Sequence, residues 1–133
     1  MRRLRLILVE DEMIVAEDLR YTLSRLGYAI EGVFPTGERA IAAAAHIRPD
    51  LALVDIRLAG VMDGIETARQ LRSRFGIPIV FATAHSDAAT LSWTRDLADG
   101  FVFKPFDECA LVSAIEEAVR KQRAAELPRE NES

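Results

Sequence analysis

One cysteine and two histidines are all this 133-residue chain offers as thiolate or imidazole donors, so metals that seek those groups have no ligand set here. The lone Cys109 cannot form an internal disulfide, and with Ala110 and Leu111 beside it the residue reads as a small helix side chain, not a reactive thiol. A basic surplus is also missing: 17 Lys and Arg against 21 Asp and Glu give a formal charge of -4, which excludes an electrostatic footprint for direct contact with nucleic acid. Long apolar runs are absent too. After the basic start Met1-Arg-Arg-Leu-Arg5, only Leu6-Ile-Leu-Val9 precedes the first acids, too short for a secretory signal or a membrane span. A cytoplasmic protein without membrane insertion is therefore expected. There is no internal repeat and no low-complexity segment, and His46, on a helix end before Pro49, reads as merely solvated.

What is present is a chain that is half apolar by composition and near the commonest domain size, enough to bury one core and no more. Leu4 to Val9 reads as a strand, and it ends in Glu10-Asp11-Glu12. From Met13 the apolar period changes to three and four (Val15/Ala16, Leu19, Leu23, Leu26), an amphipathic helix closed by Gly27. A weaker strand, Ala29 to Phe34, leads through Pro35-Thr36-Gly37 into a helix with Ile41, Ala44, Ala45 and Ile47 as its expected buried stripe. The run Leu51-Ala-Leu-Val-Asp55 reads as a strand buried on both faces, with Asp55 at its carboxyl end. Asp63 and Glu66, three apart, cap a helix over Ile65, Ala68 and Leu71. Ile77 to Phe81 is a fourth strand, leading to Ala82-Thr83-Ala84-His85; a helix from about Asp87 to Ala98 follows. Gly100 to Phe103 is the fifth strand, ending in Lys104-Pro105, and Asp107 caps a last helix with Leu111, Ala114, Ile115, Ala118 and Val119 inside. Five alternations of strand and helix predict an α/β domain with a five-stranded, doubly wound parallel sheet. The expected domain spans 1–123, and 124–133 is expected to be a flexible tail.

In open sheets of this kind, reactive groups collect at the carboxyl ends of the strands. Those ends carry Glu10-Asp11, Asp55, Thr83 and Lys104, which together describe one pocket. Carboxylates clustered without His or Cys suit Mg²⁺. A hydroxyl and an ammonium beside them suit a phosphoryl group, whose transfer needs charge neutralisation and positioning, and an Asp carboxylate can itself be the acceptor.

Val9-Glu-Asp-Glu12, Asp55, Phe81-Ala-Thr83-Ala and Lys104-Pro-Phe106, each after a strand and in this order, resemble the receiver domain of two-component response regulators, over residues 5 to about 122. The resemblance implies a flavodoxin-like topology with strand order 2-1-3-4-5 and Asp55 as phosphoacceptor. It implies Asp11 as a direct Mg²⁺ ligand, Glu10 helping through water, and Asp55 and the Arg57 carbonyl completing the metal site. Thr83 and Lys104 would contact the phosphoryl oxygens, Phe101 would be the switch aromatic, and Lys104-Pro105 a cis peptide. It further implies a histidine kinase or phosphotransfer protein as phosphodonor and a downstream protein partner, with no reaction catalysed beyond the chain's own phosphorylation and dephosphorylation. Phe81-Ala-Thr83 is also similar to single-domain receivers of bacterial stress phosphorelays, and with no DNA-binding segment following, a regulator acting by contact is expected, either a free-standing single domain or a piece of a longer regulator.

Glu10 departs from the family's frequent second Asp, which keeps the charge and lengthens the arm. Arg57 and His85, two residues after Asp55 and Thr83, flank the acceptor. As cationic donors across the phosphoryl oxygens they would exclude water and slow its loss. Output is expected through the face of the helix at 87–98, the fifth strand and the last helix, near Phe101 and Phe106, with Trp93 as a partly exposed anchor. Two other functions compete. A phosphatase of the haloacid dehalogenase type also uses Asp, Mg²⁺, Thr and Lys, but its nucleophile follows the first strand with a second Asp two residues on, where this chain has Arg57. A flavodoxin-like cofactor binder would want hydroxyl- and Gly-rich phosphate loops, and these strand ends are acidic.

Overall fold

The computed structural model describes residues 3–58, 60–84, 94 and 96–126. Five strands, β1 (Arg5–Val9), β2 (Ala29–Phe34), β3 (Leu51–Asp55), β4 (Ile79–Thr83) and β5 (Gly100–Phe103), form one sheet in the order β2-β1-β3-β4-β5. Every neighbouring pair is parallel. Among the described residues the helices are α1 (Met13–Arg25), α2 (Gly37–Ile47), α3 (Gly64–Phe75) and the last helix, here α4 (Glu108–Glu126). The expected helix at 87–98 lies largely outside the described residues; its end, Asp96-Leu97, forms a turn closed by Leu97 N–H donating to Thr94 O at 2.9 Å.

Because side chains alternate across a strand, the continuous apolar runs feed two cores. Ile7, Val9, Ala52, Val54, Ile79 and Phe81 face α2 and α3, where Ala40, Ile41, Ala44, Ala68 and Leu71 meet them. Leu6, Leu8, Leu51, Leu53, Val80 and Val102 face α1 and α4, packed by Leu19, Leu23, Leu111, Ile115 and Ala118. Helices on both faces leave the strand ends open to solvent.

Local chemistry explains the boundaries. Tyr28, Gly27 and Leu26 N–H groups bond back to Leu23, Ser24 and Thr22 carbonyls, so Gly27, at φ +104°, ends α1 as its position suggested. Asp63 caps α3, its Oδ1 accepting from Glu66 N at 2.8 Å, and Gly76 closes that helix at φ +66°. The structure corrects three expectations. β4 spans Ile79–Thr83, not 77–81, because Pro78 has no N–H to give the ladder and supplies only its carbonyl, to Ala52 N at 3.0 Å. On α2, Ala45 is exposed and Ala40 is buried in its place, since the stripe through Ala40, Ile41 and Ala44 leaves residue 45 turned outward. The last helix continues past Arg123 to Glu126.

Candidate functional site

At the carboxyl edge of β3, Asp55 is buried to 5 % exposure with both carboxylate oxygens engaged. Oδ1 accepts from Arg57 N at 3.0 Å, and Oδ2 accepts from Lys104 Nζ at 2.9 Å. Lys104 follows β5, whose end is tied to the end of β4 by Lys104 N–H donating to Thr83 O at 2.8 Å. Next to β3, β1 delivers Glu10, 3 % exposed, whose backbone N–H is anchored on Phe34 O at 3.0 Å. Its Oε2 accepts from Glu12 N at 3.2 Å. Lys104 Nζ lies 3.1 Å from Oε1, close enough for charge pairing, yet Oε1 has no partner in hydrogen-bonding geometry.

Carboxylate oxygens of Glu10, half-buried Asp11 and Asp55 all lie within 4.8 Å of one another. Such a cluster works against itself. Burial, reinforced by the neighbouring Asp55 carboxylate, pushes the Glu10 carboxyl up to about 7. Burial acts on the Lys104 ammonium in the opposite sense, but Asp55 and Glu10 outweigh it and raise Lys104 above the ordinary lysine value. A hard divalent cation fits this donor set: the donors are all oxygen, a buried one lacks a hydrogen-bond partner, and like charges need a counter-charge.

Thr83, almost wholly buried, ends β4 beside this group, its Oγ1 making a long 3.4 Å contact with Ala84 O. Arg57 is exposed. Phe101 is half-buried on β5 and stacks on the buried Phe81 ring with centroids 6.0 Å apart. Lys104-Pro105 is cis. Glu10, Asp11, Asp55 and Lys104 thus meet, and Thr83 and Arg57 border them; His85 and Trp93 lie outside the described residues.

Sequence reasoning passed over Gly64. A Cβ there would stand 1.9 Å from Asp55 O and 2.7 Å from Ile56 Cα, and Gly64 N donates to Ile56 O at 3.0 Å. The start of α3 therefore rests on the backbone that carries Asp55, which only a residue without Cβ permits. The signal available was its place right after the Asp63 cap.

Comparison with known proteins agrees with this geometry. The family described as "Response regulator receiver domain" matches residues 6–116. The DNA-binding response regulator MtrA of Mycolicibacterium smegmatis is 36% identical over 120 residues, covering 90% of this chain and 52% of that protein. The transcriptional regulatory protein CseB of Streptomyces coelicolor is 31% identical over 116 residues, 86% of this chain and 49% of its own. The chain thus spans about half the length of the curated relatives it matches. Among solved structures, the signal receiver domain of a modulated diguanylate cyclase from Desulfovibrio desulfuricans superposes with TM-score 0.87 at 38% identity, covering 94% of this chain and 100% of that one.

Proposed function

The chain belongs to the response regulator receiver family, and from that premise we propose that Asp55 is its phosphoacceptor, with Mg²⁺ held by Glu10, Asp11, Asp55 and the Arg57 carbonyl. Members of the family are phosphoryl-accepting switches of two-component signalling. The observation that carries the residue assignment is the gathering of three carboxylates within 4.8 Å of one another, two of them paired with the Lys104 ammonium, at the open edge of the sheet.

In the proposed reaction an Asp55 oxygen attacks phosphorus; a P–O bond forms while the bond to the donor breaks, and the departing donor nitrogen of a phosphohistidine takes up a proton. A cation held there would neutralise charge on the transferring group. Backbone N–H of Arg57 orients the carboxylate through Oδ1, at 3.0 Å. Lys104 leaves Asp55 Oδ2, which it holds at 2.9 Å, to pair with phosphoryl oxygens, and Thr83 Oγ1 turns from its long contact to do the same. Phe101, stacked on Phe81, carries the change outward along β5. Arg57, exposed two residues after Asp55, and His85 are proposed to shield the aspartyl phosphate from water.

The proposed phosphodonor is a histidine kinase or phosphotransfer protein, and the output a protein partner. No described helix is long and apolar enough to cross a membrane. We place the protein in the cytoplasm, its catalysis confined to its own phosphorylation and dephosphorylation, and the receiver domain running to the end of α4 at Glu126. Incubation with a small phosphodonor and Mg²⁺, followed by intact mass, tests the assignment. One phosphoryl mass, lost with Asp55→Asn or with chelator, is expected; uptake that persists in Asp55→Asn refutes it.

A further inference from the structure

β5 carries Lys104 to the site, yet little in its own sequence sets where it lies. It has four residues, sits at the edge of the sheet and pairs with β4 alone. Register in a strand is normally enforced by the hydrophobic pattern, because a slip of one residue swaps the two faces. Phe101, Val102 and Phe103 are all apolar, so a slipped β5 would bury much the same surface. Lys104, however, would move by one residue and turn away from Asp55.

Asp99, immediately before the strand, supplies what the pattern lacks. It is 6 % exposed, and its backbone N–H donates to Ile79 O at 2.7 Å while its own Oδ2 accepts from Ile79 N at 3.0 Å. One residue therefore grips both polar groups of the first residue of β4. The same carboxylate takes Arg72 of α3 through both guanidinium nitrogens, at 2.6 and 3.3 Å, and Lys121 of α4 reaches Asp99 O at 3.2 Å. Gly100 adds a soft steric stop, since a Cβ there would come 3.2 Å from Ala114 O. Such a buried, fully hydrogen-bonded carboxylate cannot shift by one residue without abandoning several partners at once.

We propose that Asp99 is a positioning residue for phosphoryl transfer: by pinning the start of β5 to Ile79 and Arg72, it holds Lys104, at the other end of the strand, within reach of Asp55. The inference rests on the proposed role of Lys104. It also predicts a split that general loosening of the fold would not produce, because the metal-binding carboxylates ride on β1 and β3, which Asp99 does not touch.

The test compares wild type, Lys104→Ala, Asp99→Ala, Asp99→Asn and a core-weakened control on α1, Leu23→Ala. Phosphoryl uptake from a small phosphodonor, Mg²⁺ affinity and hydrogen exchange of backbone amides are followed. Asp99→Ala should slow uptake at least tenfold at saturating Mg²⁺, leave Mg²⁺ affinity within twofold, and deprotect the Lys104 amide while β1 and β3 stay protected. Asp99→Asn, which keeps an oxygen for Ile79 N, should recover most of the rate. Leu23→Ala should lower stability without the selective loss at Lys104. If wild type takes up phosphoryl and Lys104→Ala is slow, but Asp99→Ala is as fast as wild type or loses Mg²⁺ affinity in parallel, the inference is wrong. Should Lys104→Ala itself match wild type, the reading of Lys104 fails first.

Discussion

Replacing Gly64 by alanine adds a single methyl group, and the structure dictates where it goes. It meets Asp55 O at 1.9 Å, Ile56 Cα at 2.7 Å and Asp55 C at 2.8 Å, against the 3.4 Å at which contact becomes ordinary. All three are backbone atoms, so no rotamer change relieves the clash; α3 and the end of β3 must separate by roughly the missing 1.5 Å, the difference between 3.4 and 1.9 Å. Two effects oppose each other. Alanine favours helix over glycine by about 1 kcal/mol at most, and less at the first helical position. Overpacking costs about 1–3 kcal/mol, at the upper end where backbone must move. The steric effect wins, and a net loss of about 2 kcal/mol should lower the melting temperature by about 8 °C for a chain of this size. The distinguishing outcome is chemical: displacing Asp55, the proposed acceptor, by about 1 Å should slow phosphoryl uptake on the order of 100-fold. Gly76→Ala is the control. Its site is open but at φ +66°, so it should cost about 1 kcal/mol in backbone strain and leave uptake untouched. Urea denaturation paired with timed intact-mass measurements reads both. A Gly64→Ala protein as stable and as reactive as wild type would refute the packing argument.

Asp55→Asn should fold normally and gain no phosphoryl mass, because an amide fills the same space without attacking phosphorus. Mg²⁺ titrations should show Asp11→Ala weaker than Glu10→Ala, since a direct oxygen ligand outweighs one bridged by water; the reverse order would overturn the division of roles. Asp63→Ala should destabilise the fold by about 1 kcal/mol in chemical denaturation through loss of the cap on Glu66 N, with no effect if that 2.8 Å bond is idle. Arg57→Ala should shorten the lifetime of the phosphorylated form; a longer lifetime would mean that the guanidinium assists hydrolysis, as an arginine finger does.

Strand ends were legible because apolar runs stop abruptly at chemistry-bearing residues: Val9 before Glu10, Val54 before Asp55, Phe103 before Lys104. Caps were legible at Asp63 and Gly27 because their signals are local. The two-residue displacement of β4 escaped because an apolar run does not reveal which residue first donates to the ladder, and Pro78 cannot. Asp99 and Gly64 escaped for a different reason. Asp99 acquires its role from Arg72 and Ile79, 27 and 20 positions away in the chain, and Gly64 from the backbone of Asp55. Neither partner is visible from one sequence window. The near-complete burial of Glu10 and its unpartnered Oε1 likewise emerge only when β1, β3 and β5 are assembled.

Three clustered carboxylates, only two of them paired with the Lys104 ammonium, have a consequence for information processing. A phosphoryl donor arriving at an unfilled pocket meets an excess of like charge, and each unit pair held about 4 Å apart near a protein surface costs roughly 4 kcal/mol, nearly a thousandfold in occupancy. On the proposed reading, neither donor nor cation suffices alone. The domain then computes a logical AND: its response follows the joint occupancy of two inputs, and scarcity of the cation silences the signal however active the upstream kinase.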